Sequence, residues 1–111
     1  MPAIRIVTSA KLNDHFKQNI AQEASLICAK TLGKPVSVVE TIVVDGATIA
    51  FGGDCAQPAA FVNIGQIGEF TEEQRQSFTQ SYCALLAQHG IPAKRIYLHF
   101  SGETRDKWGW L

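Results

Sequence analysis

No stretch of this chain stays apolar for the roughly 18 residues that a bilayer-spanning helix requires. Its opening, MPAIRIVTSAKLNDHF, has no apolar core of the kind that marks a secretory signal. Both absences point to a cytoplasmic protein without a membrane partner, with non-classical secretion as the other route. Charge is scarce: 18% of the 111 residues carry one, ten basic against ten acidic. Lysines and arginines are scattered singly, so no basic stripe exists to hold a nucleic-acid backbone. Cysteine is limited to Cys28, Cys55 and Cys83, an odd number with no Cys-x-x-Cys pair and no zinc spacing to His15, His89 or His99. A disulfide framework and a metal site are therefore not expected, and nothing calls for a cofactor. Apolar residues, at 46%, are abundant. A near-neutral single domain of this composition is poorly guarded against association and leans toward an oligomer.

The chain reads as one domain, 1–111, made of two similar halves of roughly 2–57 and 58–111. AIRIVTS (3–9) alternates and is β-branched, hence a strand. Leu12, Phe16, Ile20, Ala24 and Ile27 then recur at helical spacing, and Gly33 and Pro35 stop that helix. VSVVETIVVD (36–45) reads as a strand apolar on both faces, as in a sheet interior. Asp45-Gly46 signals a turn, TIAF (48–51) a short return strand, and FGGDCAQP (51–58) a loop. The order then repeats. AAFVNIG (59–65) is a strand, and Thr71 with Gln74 makes a capping box for a helix whose apolar face is Phe78, Tyr82, Leu85 and Leu86. His89, Gly90 and Pro92 end it, and RIYLHF (95–100) is the last strand. Gly33-x-Pro35 matches Gly90-x-Pro92. Two such β-α-β units give a four-stranded mixed sheet with both helices on one face, an α+β domain. The other face stays bare, with Val36 or Val39, Ile42, Phe61 and Ile96 as its candidate residues.

A few residues offer chemistry. Pro2 behind the initiator methionine is either a processing signal alone or, once Met1 is trimmed, a free secondary amine. Partial burial and a nearby cation would bring that amine toward the working pH, where a general base is most effective. With Met1 attached the same nitrogen is a tertiary amide, with no basicity. Lys34, in LGKP, sits where a helix gives way to a strand: a holder for a carboxylate and a depressor of the Pro2 pKa, or a solvated partner of the helix C-terminus. NIGQIG (63–68) puts two glycines at a strand end, where backbone N–H groups would be open to a ligand oxygen. Tyr97 and His99, two apart, share one strand face. Trp108 and Trp110 close the chain, as packing against another subunit or as a pocket wall.

MP, LGKP, AFGG, NIGQIG, IPAKRIY and WGW occur in the order and spacing of a known family. Across nearly its whole length the chain resembles the macrophage migration inhibitory factor branch of the tautomerase superfamily. The resemblance implies a homotrimer whose sheets surround a central channel, with active sites at subunit boundaries. It implies Pro2 as the catalytic base, Lys34 as the substrate-binding lysine and Ile64 as a backbone donor. Tyr97 would come from the neighbouring subunit, with Trp110 on the aromatic rim and Trp108 as an extra candidate. Four departures stand out. His99 replaces an asparagine of the mammalian cytokine members, and Val38 a rim tyrosine. DCAQPAAF keeps no Cys-x-x-Cys, which disfavours thiol-oxidoreductase activity. The chain stops at Leu111, without the tail that helps cover a subunit boundary in animal members, which bears on trimer stability.

The function this implies is that of an isomerase: a cofactor-independent keto–enol tautomerase for phenylpyruvate-like α-keto acids, with Pro2 shuttling the proton. The alternative is a cytokine-like or host-modulating protein that binds a protein receptor through its surface. A third reading is a ferredoxin-like ligand-binding domain in which Pro2 is incidental.

Overall fold

A computed structural model describes all residues, Met1–Leu111. Alternation makes Ala3–Thr8 the strand β1, with Ile4, Ile6 and Thr8 buried and Arg5 exposed. Helix α1 (Asp14–Leu32) begins at Asn13, whose side chain accepts from the Phe16 N–H at 2.7 Å. It ends at Gly33, which takes the left-handed conformation at φ 65 that a side chain would resist. A 3-10 turn, Val36–Val38, leads into β2 (Glu40–Val44). The second half supplies β3 (Ala60–Ile67), α2 (Glu72–Ala87), a 3-10 turn Ala93–Arg95 and β4 (Ile96–Glu103). The Thr71–Gln74 capping box is formed in both directions.

The sheet order is β2-β1-β3-β4, with β1 parallel to β2, β3 parallel to β4, and β1 antiparallel to β3. The two β-α-β units therefore meet back to back at the central pair. The 3-10 turns recur at the spacing of the Gly-x-Pro stops: Val36–Val38 lies 57 residues before Ala93–Arg95. Ile4, Ile6, Val62 and Ile64 project from one sheet face onto Ile20, Ala24 and Cys28 of α1 and Phe78, Tyr82 and Leu86 of α2. Within this core the Tyr82 hydroxyl donates to the Ala24 carbonyl at 2.7 Å, joining the two helices.

Several expectations change. The run 36–45 is not one strand: Val38 N–H donates to the Pro35 carbonyl and Val39 N–H to that of Val36, so the chain turns before β2 begins. Nor is β2 interior to the sheet of this chain; it is an edge, with Ile42 and Val44 exposed. TIAF forms no strand. Residues 48–50 have no regular structure, and Phe51 makes only an isolated bridge with Asp54. Ile96, expected on the bare face, is 6% exposed and belongs to the core, because Tyr97 and His99 take the opposite side. Val39 packs against the core and Val36 lies in the turn, so neither belongs to the bare face. That face is instead carried by Ile42, Val44, Phe61 and Tyr97, all exposed.

The 51–58 loop is held by one side chain. The Arg95 guanidinium donates to the carbonyls of Pro58, Asp54 and Gln57 at 2.8–3.0 Å, and lies 5.3 Å from the Phe51 ring centre. Phe51 in turn stacks on Tyr97, ring centres 5.0 Å apart.

Candidate active site

The start of β1 carries Pro2, fully buried, and its carbonyl accepts from the Glu40 N–H at 3.1 Å. Strand alternation puts Pro2 on the side of Ile4 and Ile6, toward the helices. The helix stop at Gly33 delivers Lys34 to the same end of the sheet. Its side chain belongs to the amino terminus electrostatically: the Met1 amine is pushed below the ordinary α-amino range, first by burial and then by the Lys34 charge, with Cys28 acting in the opposite sense. Cys28, on the inner face of α1, has its thiol pushed up to about 11 by burial, while Lys34 and the amino terminus pull it down. An amine, an ammonium and a protonated thiol thus gather where β1 begins.

Sequence reasoning missed Gln66. This residue lies on β3 two positions after Ile64, on the same face, and is only 4% exposed. Its carboxamide oxygen lies 3.4 Å from Lys34 Nζ, and its NH2 donates to the Glu69 carbonyl at 3.2 Å. The available signal was a polar side chain at an inward position of an otherwise apolar strand.

Ile64 is at this end too, opposite Ile4 on β1 and Phe100 on β4, its side chain fully buried. The two glycines of NIGQIG are not both at a strand end as expected: β3 runs on to Ile67, and only Gly68, at φ 92, lies beyond it. Gly65 has a different reason to be glycine. A Cβ there would come within 3.4 Å of the Trp108 ring. Trp108 therefore packs on its own chain's sheet, on the face away from the helices.

Tyr97 and His99 do share a face, as their spacing predicts, but it is the bare one, with β3 and the sheet between them and Pro2. Tyr97 is 65% exposed. The Asn63 amide nitrogen lies 2.8 Å from His99 Nδ1, tying the ring to β3. Trp110 is 47% exposed, with the Arg105 guanidinium 4.9 Å from its ring centre. One chain thus brings together Pro2, Lys34 and Ile64, and holds Tyr97, His99, Trp108 and Trp110 elsewhere.

A β-α-β unit used twice, with a lysine beside the amino terminus and one sheet face uncovered, defines a small α+β domain of tautomerase type. The chain matches the macrophage migration inhibitory factor (MIF) family over residues 1–110 and belongs to that branch of the tautomerase superfamily. It is 33% identical over 101 residues to a macrophage migration inhibitory factor homolog of Brugia malayi, covering 90% of this chain and 86% of that protein. The crystal structure of a MIF-like protein from Entamoeba histolytica superposes with a TM-score of 0.91 at 34% identity, over 98% of this chain and 94% of that one. A MIF homologue from Prochlorococcus marinus gives 0.91 at 31%, over 98% and 95%. The chain is accordingly a MIF-like protein of the tautomerase and cytokine-like class.

Proposed function

We propose that this protein, once Met1 is removed, is a cofactor-independent tautomerase of phenylpyruvate-like α-keto acids. The observation that supports this reading best is that burial and then the Lys34 charge hold the Met1 amine below its ordinary range, a setting that a trimmed Pro2 amine would share. In the proposed reaction the Pro2 nitrogen takes a proton from the carbon between the carbonyl and the aromatic ring. The C–H electron pair moves into the new C=C bond as the C=O π pair shifts onto oxygen. The protonated Pro2 nitrogen delivers its proton to that oxygen, giving the enol hydroxyl and restoring the neutral amine; the reverse reaction returns the proton from oxygen to carbon by the same route. Lys34 pairs with the substrate carboxylate and stabilises negative charge on the neighbouring oxygen. The Ile64 N–H and Tyr97 orient the substrate, while Trp110, Trp108, Phe51 and Val38 are the apolar groups on offer for its ring.

This reading requires an assembly. Tyr97 and His99 lie across the sheet from Pro2 in their own chain, so they serve a site only if supplied by a neighbouring copy, in a homotrimer with sites at the boundaries. The uncovered apolar face is the surface such an assembly would bury.

The test joins mass spectrometry to kinetics. Loss of Met1 is verified first, and phenylpyruvate tautomerisation is then followed for the trimmed chain, for Pro2→Gly, and for a chain with an uncleaved N-terminal extension. Pro2→Gly keeps an amine and is expected to lose at least about tenfold in kcat/KM, and the extended chain all proline-dependent catalysis. Full activity in both variants would sink the mechanism.

A further inference from the structure

Lys34 has a long, flexible stem, and a point charge on such a stem binds a carboxylate well only if something fixes it. The neighbours that the structure gives its ammonium do not include a carboxylate. What it has is the carboxamide oxygen of Gln66, at 3.4 Å. Gln66 is itself fixed: it is 4% exposed, it sits on the central strand β3, and its NH2 is tied to the Glu69 carbonyl. That tie settles which end of the amide faces Lys34, because only the oxygen remains free to accept.

We propose that Gln66 is a positioning residue for Lys34, holding the ammonium beside the amino terminus with an acceptor that leaves its charge unspent. The point of an amide here is its neutrality. A carboxylate at the same place would form an ion pair with Lys34, compete with the substrate carboxylate, and offset the field that keeps the amine neutral. An aliphatic side chain would release the ammonium and so weaken its field at the amine, without adding an opposing charge. The two substitutions therefore separate lost placement from an added negative charge. The role in catalysis rests on the tautomerase reading above; the effect on the amine does not. The titratable groups that face the amino terminus are Lys34, from the loop after α1, and Cys28, from α1 itself. Glu40 reaches it through a main-chain N–H and Glu69 reaches Gln66 through a carbonyl.

The experiment compares Gln66→Leu and Gln66→Glu in the trimmed, assembled protein. Gln66→Leu is expected to raise KM for phenylpyruvate about fivefold or more, the scale of a lost hydrogen bond to a charged group, and to move the acidic limb of kcat/KM slightly to higher pH. Gln66→Glu is expected to raise KM further and to move the acidic limb of kcat/KM to higher pH. The Pro2 amine is titrated in parallel by NMR on proline-labelled protein, which needs no turnover. Its pKa should rise in Gln66→Leu and rise further in Gln66→Glu. If Gln66→Leu fails to fold, the near-isosteric Gln66→Glu still decides the matter through that titration. A parental amine pKa in Gln66→Glu overturns the proposal, as does parental KM in both variants. A parent that titrates as expected but does not turn over phenylpyruvate overturns the substrate reading and leaves the placement of Lys34 standing.

Discussion

At the scale of single residues, the amino-terminal cluster sorts charges by their surroundings. Burial and then the Lys34 charge act on the Met1 amine in the same direction, both against protonation, and the same two causes would act on a proline nitrogen exposed by trimming. In Lys34→Ala one of the two causes is gone. The acidic limb of kcat/KM is then expected at higher pH, and KM to rise about tenfold to a hundredfold through loss of a charge-assisted contact. Steady-state kinetics across pH checks both at once. Cys28 is the converse case, a thiol held protonated by its burial at about 11. Thiolate is the reactive form, so Cys28 should resist alkylation at neutral pH while exposed Cys55 is modified first. Peptide mapping after brief iodoacetamide treatment reads the order, and Cys28 labelled as fast as Cys55 would contradict it.

At the scale of elements, the two helices are joined chiefly through packed side chains and one buried hydroxyl. Removing that hydroxyl in Tyr82→Phe costs the Ala24 bond and is expected to lower stability by about 1 kcal/mol, seen as a lower urea midpoint with unchanged slope. Both helices were legible in the sequence, because their start and stop signals are local chemistry: the Thr71–Gln74 box and Gly33 work within a few residues. So were β1, β3 and β4. The failures have one cause, that neighbours in space are not written locally. An all-apolar β2 reads the same at an edge as in an interior. TIAF has strand composition but nothing in this chain to pair with. Pro35 and its carbonyl pull Val36–Val38 into a turn despite their β-branched side chains. The site was legible in Pro2 and Lys34 through motif spacing, and illegible in Gln66, whose meaning lies in what it touches across 32 residues of chain.

At the scale of the whole molecule, one sheet face packs both helices and the other is open. Ile42, Val44, Phe61 and Tyr97 form an apolar belt across the open side, a surface of the sort that draws a partner. Sedimentation should return a mass of three chains. Phe61→Glu, which puts a charge in the middle of the belt, should return the mass of one chain with its secondary structure intact; a parental mass in that variant would deny the belt its role. The recurrence at 57 residues has a consequence of its own. By that offset Lys34 falls on Ile91, which has no exposed surface. The first strands match one residue later, buried Ile4 on buried Val62 and helix cap Asn13 on Thr71, so Pro2 falls on Ala60, 4% exposed. The second half repeats the architecture of the first without its reactive end. Where the first half places an amine and an ammonium, its twin places a methyl and a sec-butyl group, and has no chemistry to offer.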